Sequence, residues 1–220
     1  MKISYLGIGE MGVGMAENLL KKNGKLTIWN RTKDKPHVRS LVEQGAILAQ
    51  ELKDAVEKFD FICINLTSDA AVRAVTQDIA EYISRGTIIL DFSTISPNTA
   101  VEIMELFKQK GAYYLDCPVS GGSAGAKAGT LAIMAGGNEE ALKMARPLLN
   151  MCGSNIQYMG ESGLGQKAKL INQLLTWVNQ AVVCEAMLLA EKSGIDIKSL
   201  YRVLLTSWGR SWMLERSVER

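Results

Sequence analysis

Short runs of apolar, β-prone residues recur along the chain at 3–6, 25–29, 61–66, 87–91, 112–116, 131–135 and 156–158. Several are continuously apolar rather than alternating, the pattern of strands covered on both faces. Between them, apolar positions spaced by three and four predict helices at 11–22, 36–44, 52–58, 97–110 and 139–149. Gly24, Gly45 and Gly111 stand where three of these would stop, since glycine readily takes the left-handed conformation of a helix end. Strands alternating with helices specify a largely parallel sheet between helical layers, so the fold class predicted is α/β, doubly wound.

Past position 160 the pattern changes. Gly163 and Gly165 interrupt the chain, and 166–193 then reads as one long helix without internal proline or glycine. Its apolar residues Leu170, Ile171, Leu174, Leu175, Val178, Val182, Met187 and Leu188 spread beyond one narrow stripe, so several neighbours are needed to cover them. The remaining segments, 200–205 and 211–220, are too short to do so. The division expected is a nucleotide-binding domain at 1–162 and the start of an all-α domain at 163–220 that looks incomplete. Either a second subunit covers the long helix, making the protein a homo-oligomer, or the helical domain continues beyond Arg220. Asn172, Gln173, Asn179, Gln180 and Glu185 interrupt the apolar tract and make it a poor membrane span.

Composition narrows the function classes. With 220 residues, 47% hydrophobic and 22% charged, the chain has the make-up of a folded protein. A net charge of +2, with dispersed basic residues, gives no footprint for nucleic acid or a membrane surface. Met1 and Lys2 lead straight into the first strand with no signal-peptide pattern, which predicts a cytoplasmic protein. Cys63, Cys117, Cys152 and Cys184 are widely spaced and form no CxxC pair, so no metal site is expected and the thiols are read as reduced and mostly buried.

Gly7-Ile8-Gly9-Glu10-Met11-Gly12 matches GxGxxG directly between a strand and a helix. In that setting the first glycine permits the tight turn, the second lets a pyrophosphate approach the backbone, and the third packs helix on strand. The helix then offers unpaired N–H groups and the positive end of its dipole. This points to a Rossmann-type sheet holding a nicotinamide dinucleotide. An NAD-selective site usually carries a carboxylate about 20 residues further on, to bind the ribose 2′-hydroxyl. Here that place holds Asn30-Arg31-Thr32. Arg31 can pair with a 2′-phosphate, with Asn30 and Thr32 as neutral donors, so NADP is predicted, with NAD possible. A solvated loop cation is the plainer reading of Arg31. Asn65-Leu66-Thr67 and Ser93-Thr94-Ile95-Ser96-Pro97 follow two further strands and could line the adenosine and the nicotinamide, although Ser96-Pro97 equally suits a helix start.

Lys169 lies at the beginning of the long helix, with Asn172 and Gln173 at i+3 and i+4 on the same face. The helix dipole disfavours a cation there and burial would depress its pKa further, two effects that prepare an amine for proton transfer. On composition alone a surface lysine is the commoner reading. Lys167 lacks the amide neighbours and is read as solvated.

Four blocks, 7–19 (GIGEMGVGMAENL), 91–97 (DFSTISP), 116–122 (DCPVSGG) continuing to Gly129-Thr130-Leu131, and 163–173 (GLGQKAKLINQ), together resemble the β-hydroxyacid dehydrogenases. That resemblance implies an NADP-dependent dehydrogenase or semialdehyde reductase acting on a small carboxylate-bearing carbonyl compound. It also implies that Lys169 is the general acid/base, that Asn172 and Gln173 hold substrate, and that Ser120, Gly121 and Gly122 bind its carboxylate. A hydroxyl and successive backbone N–H groups make a small anion nest, although Ser-Gly-Gly is also a flexible turn. The family's further helices would follow Arg220. Rival readings are an imine reductase on the same fold and a non-catalytic dinucleotide-binding module.

Overall fold

The computed structural model describes residues 1–218; Glu219 and Arg220, the end of the expected 211–220 segment, lie outside the described residues. In chain order the elements of the first part are β1 (Ile3–Leu6), α1 (Glu10–Asn23), β2 (Thr27–Trp29), α2 (Pro36–Glu43), β3 (Ile47–Leu48), a 3₁₀ turn (Lys53–Ala55), β4 (Phe61–Ile64), α3 (Asp69–Ala80), β5 (Ile88–Asp91), α4 (Pro97–Gln109), β6 (Tyr113–Asp116), β7 (Val119–Ser120), α5 (Gly122–Ala128), β8 (Leu131–Gly137), α6 (Glu139–Cys152) and β9 (Gly153–Gly160). Then come α7 (Leu164–Lys192), α8 (Ile197–Leu204) and α9 (Trp212–Val218).

The strands form one sheet in the order β3-β2-β1-β4-β5-β6-β8-β7, with β9 beside β8. Pairing is parallel from β3 through β6, as expected of a doubly wound sheet. Beyond β6 it departs from that pattern, because β8 runs antiparallel to both β6 and β7. The chain keeps its direction from β6 into β7 and reverses only between β7 and β8, through α5.

Alternate residues of each strand enter two cores. Ile3, Tyr5, Cys63, Ile88, Leu90 and Leu115 pack on one face with Met15, Leu19, Leu41 and Leu149 of α1, α2 and α6. Leu6, Ile62, Ile64, Ile89 and Tyr114 pack on the other with Val72, Ile79, Ile103 and Phe107 of α3 and α4. Both faces being covered explains why β4 is apolar throughout and why Ile88, Ile89 and Leu90 of β5 are apolar at successive positions.

Helix 52–58 shrinks to a 3₁₀ turn: only Ala55 and Val56 are buried there, and Lys58 adopts a left-handed φ of 67°. The helix α3 is additional. Ser68 caps it by accepting from Ala71 N–H, and its buried face is Val72, Thr76, Ile79 and Ala80.

The chain divides into compact units at Lys169/Leu170, inside α7, rather than at the glycines before it. The first turn of α7 belongs with the sheet because Gly165 lies against it: a Cβ there would come within 2.4 Å of the Met134 carbonyl oxygen. In the second unit, Gln180 bonds Ser217, and Tyr201 donates to the Glu215 carbonyl. Three helices leave much of α7 uncovered, with Leu174, Trp177 and Leu189 each more than 60% exposed. By length and composition α7 could cross a bilayer, so its polar interruptions do not by themselves exclude a span. Its first turns, however, are bonded inside the first unit through Gln166 and Lys169.

Candidate active site

The carboxyl ends of the parallel strands bring the glycine turn, the loops after β4 and β5, and the start of α7 to one edge of the sheet, where open α/β sheets bind ligands. Gly7, at φ 94°, makes the turn after β1, and its missing Cβ leaves room for the Asn65 carbonyl oxygen, which such an atom would meet at 2.2 Å. A Cβ on Gly12 would come 2.5 Å from the Gly7 oxygen, so this glycine lets α1 start against the strand. Gly9 differs: a Cβ there would meet nothing, and the open space lies beside the uncapped start of α1 at Glu10 and Met11. An open cradle over unpaired N–H groups is what a diphosphate requires. Ile8 is buried beneath it.

Asn30 is turned inward. Its amide oxygen accepts from Ile8 N–H at 2.9 Å and its amide nitrogen donates to the Thr32 carbonyl at 2.6 Å. The side-chain donor expected for a 2′-phosphate is therefore engaged in bracing the glycine turn. Arg31 and Thr32 are exposed, and their side chains make no hydrogen bond or ion pair among the described residues. Asn65 and Leu66 are half-buried, whereas Thr67 and Thr94 are exposed at the loop tips. Leu66 N–H donates to Ser93 Oγ, which joins the two loops.

Lys169 is 7% exposed, not the surface lysine that composition favours, whereas Lys167 is exposed. The Lys169 amine donates to the Val119 carbonyl at 2.8 Å, which places it beside Ser120, Gly121 and Gly122. Burial pushes its pKa below the ordinary lysine value. Ser120 ends β7 and Gly122 opens α5, so the Ser-Gly-Gly segment is a strand-to-helix junction, with Gly121 and Gly122 at positive φ. That junction is held to the cofactor side, because Asn18 of α1 donates to the carbonyls of Ala126 and Lys127 in α5. A Cβ on Gly14 would come within 2.7 Å of Lys127 N, which is why the two helices can cross so closely. Asn172 and Gln173 follow on α7, half-buried, in the second unit.

Two acids that sequence reasoning had quoted without a role hold this edge together. Asp91 and Asp116 are register partners at the ends of β5 and β6. Asp91 accepts from Ser93 N–H and from Tyr114 OH. Asp116 accepts from Gly163 N–H at 2.8 Å and Gln166 N–H at 2.9 Å, so it caps the start of α7.

Burial pushes the Asp116 carboxyl up to about 6, against the two N–H groups that favour the anion. The folded chain thus holds this proton more tightly than the unfolded chain. The stability it contributes is complete below about pH 4 and is lost as pH rises through about 6. Unfolding by urea at a series of pH values is expected to show wild type losing on the order of 3 kcal/mol relative to Asp116→Asn between pH 4 and 7. Equal slopes would mean that Asp116 titrates like a solvated acid.

A family model described as the NAD binding domain of 6-phosphogluconate dehydrogenase matches residues 2–160. Another, described as the NAD-binding of NADP-dependent 3-hydroxyisobutyrate dehydrogenase, matches residues 163–220. The chain is 38% identical over 216 residues to a probable mitochondrial 3-hydroxyisobutyrate dehydrogenase of Dictyostelium discoideum, covering 97% of this chain and 67% of that protein. It is 39% identical over 217 residues to an NAD-dependent L-serine dehydrogenase of Pseudomonas aeruginosa, covering 97% and 72%. A solved Mycobacterium tuberculosis 3-hydroxyisobutyrate dehydrogenase with L-serine superposes with a TM-score of 0.89 at 34% identity, covering 97% of this chain and 73% of that one. An imine reductase of Streptomyces aurantiacus, with a TM-score of 0.82 at 23% identity and coverage of 89% and 68%, shares the fold. A nicotinamide dinucleotide cofactor and oxidoreductase chemistry follow from these matches, and the chain belongs to the β-hydroxyacid dehydrogenase family.

Proposed function

We propose that the protein interconverts a small carboxylate-bearing aldehyde or keto acid, of the semialdehyde or glyoxylate kind, and the corresponding hydroxyacid, using NADP(H). The observation that carries this reading is the buried amine of Lys169, held by one carbonyl beside the Ser120-Gly121-Gly122 junction. When bound, the nicotinamide donates or accepts the hydride. Lys169 Nζ gives a proton to the substrate oxygen during reduction and removes it during oxidation. Ser120 Oγ and the Gly121 and Gly122 N–H groups take the substrate carboxylate, and Asn172 and Gln173 orient the rest of the molecule. Gly7, Gly9, Glu10, Met11 and Gly12 supply the diphosphate cradle, with Thr67 and Thr94 at its edge.

Arg31 is the basis for preferring NADP, because an exposed guanidinium stands where a carboxylate would repel the 2′-phosphate. Initial rates with NADPH and NADH against glyoxylate, succinic semialdehyde, tartronate semialdehyde and methylmalonate semialdehyde test the proposal. NADPH is expected to be favoured, and Arg31→Asp to lower kcat/KM for NADPH by about 10²-fold while sparing NADH. An unchanged preference in the variant would remove Arg31 from the site. Reduction of a cyclic imine with none of the carbonyl acids turned over would favour the imine reductase reading, and no turnover at all a non-catalytic module.

The uncovered apolar side of α7 supports a homo-oligomer, since a single copy of these helices would leave a large apolar face in water.

A further inference from the structure

The first turn of α7 is locked to the loop after β5 by one side chain. Gln166 is fully buried; its amide nitrogen donates to the Ser93 carbonyl at 2.9 Å, and its amide oxygen accepts from Ile95 N–H at 3.2 Å. A single planar group thus closes on both sides of exposed Thr94. The Gln166 N–H is itself held by Asp116, and Lys169 stands three residues further along the same helical face. The loop is equally constrained from its other side, through Ser93 N–H to Asp91 and Leu66 N–H to Ser93 Oγ.

An apolar side chain would fill this space, but it would leave Ile95 N–H and the Ser93 carbonyl without these partners. Because both amide atoms are used, the separation between the 93–95 loop and the helix turn bearing Lys169 is set by the length of one glutamine. We propose that Gln166 is a positioning residue: it keeps the 93–95 loop and the Lys169 amine in fixed register. The role rests on Lys169 and Thr94 serving the reaction described above. Misplacement of reacting groups by about 1 Å can cost about 10²-fold in rate, so a register set this tightly bears on turnover rather than on affinity.

Two variants test it. Gln166→Leu removes both bonds at similar volume, and Gln166→Glu keeps an acceptor for Ile95 N–H while losing the donor to Ser93. Turnover is counted per nucleotide-binding site, so that misfolded material does not enter. Gln166→Leu is expected to lower kcat by about 10²-fold with nucleotide Kd within about twofold of wild type, and Gln166→Glu to fall between. In the nucleotide-free protein, the Ile95 amide is expected to exchange with deuterium at least about tenfold faster in Gln166→Leu, because its acceptor is gone. Wild-type kcat, unchanged exchange at Ile95, or a proportional loss of nucleotide affinity would each overturn the role; should Gln166→Leu not fold, the kcat and Kd of Gln166→Glu decide it. A wild-type protein that reduces none of the carbonyl acids ends the functional reading and this role with it, whereas an active wild type with an unaffected Gln166→Leu ends the role alone.

Discussion

Lys169→Met is expected to abolish useful turnover, by about 10³-fold in kcat, while nucleotide affinity stays within about twofold of wild type. The amine is the group placed beside the Ser120 junction, and a thioether of similar length can neither give nor take a proton. The same change is expected to raise stability by about 1 kcal/mol at neutral pH, despite losing the bond to Val119, because a desolvated cation disappears from the fold. Burial depresses the Lys169 pKa, so the folded chain loses this proton before the unfolded one does. The stability advantage of the methionine variant should therefore shrink as pH rises toward the ordinary lysine value of about 10.4 and vanish above it, where both forms of the wild type are neutral. Steady-state kinetics with calorimetric nucleotide binding, and urea melts across pH, check the two halves. Turnover within tenfold of wild type would remove Lys169 as the proton carrier.

A second large effect is expected at Gly165. A methyl group there would lie 2.4 Å from the Met134 oxygen, 2.6 Å from the Asp116 oxygen and 2.8 Å from the Asp116 carboxylate. The two nearest are backbone oxygens of the sheet, which cannot swing aside, so α7 must lift from it. Gly165→Ala should cost about 3 kcal/mol in denaturant unfolding and lower kcat by at least about tenfold, since the displaced turn carries both Gln166 and Lys169. Gly9→Ala is the contrasting control. Its methyl meets nothing and its φ is −101°, so stability should hold within about 0.5 kcal/mol while nucleotide affinity falls as the cradle fills. Equal stability losses in the two variants would contradict the close packing of α7.

The sheet was legible because β4 and most of β5 are apolar on both faces, and the glycine turn because its spacing repeats a physical requirement of diphosphate binding. Helix α3 escaped notice since half of its buried face is Thr76 and Ala80, too weakly apolar to mark a stripe. The reversal at β8 depends on pairing with β6, a non-local choice that no short window reports. Gly163 and Gly165 read as a break between domains, yet Gly165 lies within α7 and serves close approach to the sheet. Lys169 could be singled out by position, but its burial could not, because it follows from how that glycine seats the helix. The supporting roles of Asp116 and Gln166 were hidden for the same reason: each satisfies backbone groups far away in sequence.

The inward-facing amide at position 30 divides labour between neighbours. Asn30 is scaffold: altering it loosens Ile8 and the bend above it, whichever dinucleotide is used. Arg31 and Thr32 carry no such duty, so coenzyme choice can drift there by single substitutions at little cost to foldedness. A lineage of this fold could therefore move between phosphorylated and unphosphorylated coenzymes while its strand-turn-helix frame stays constant.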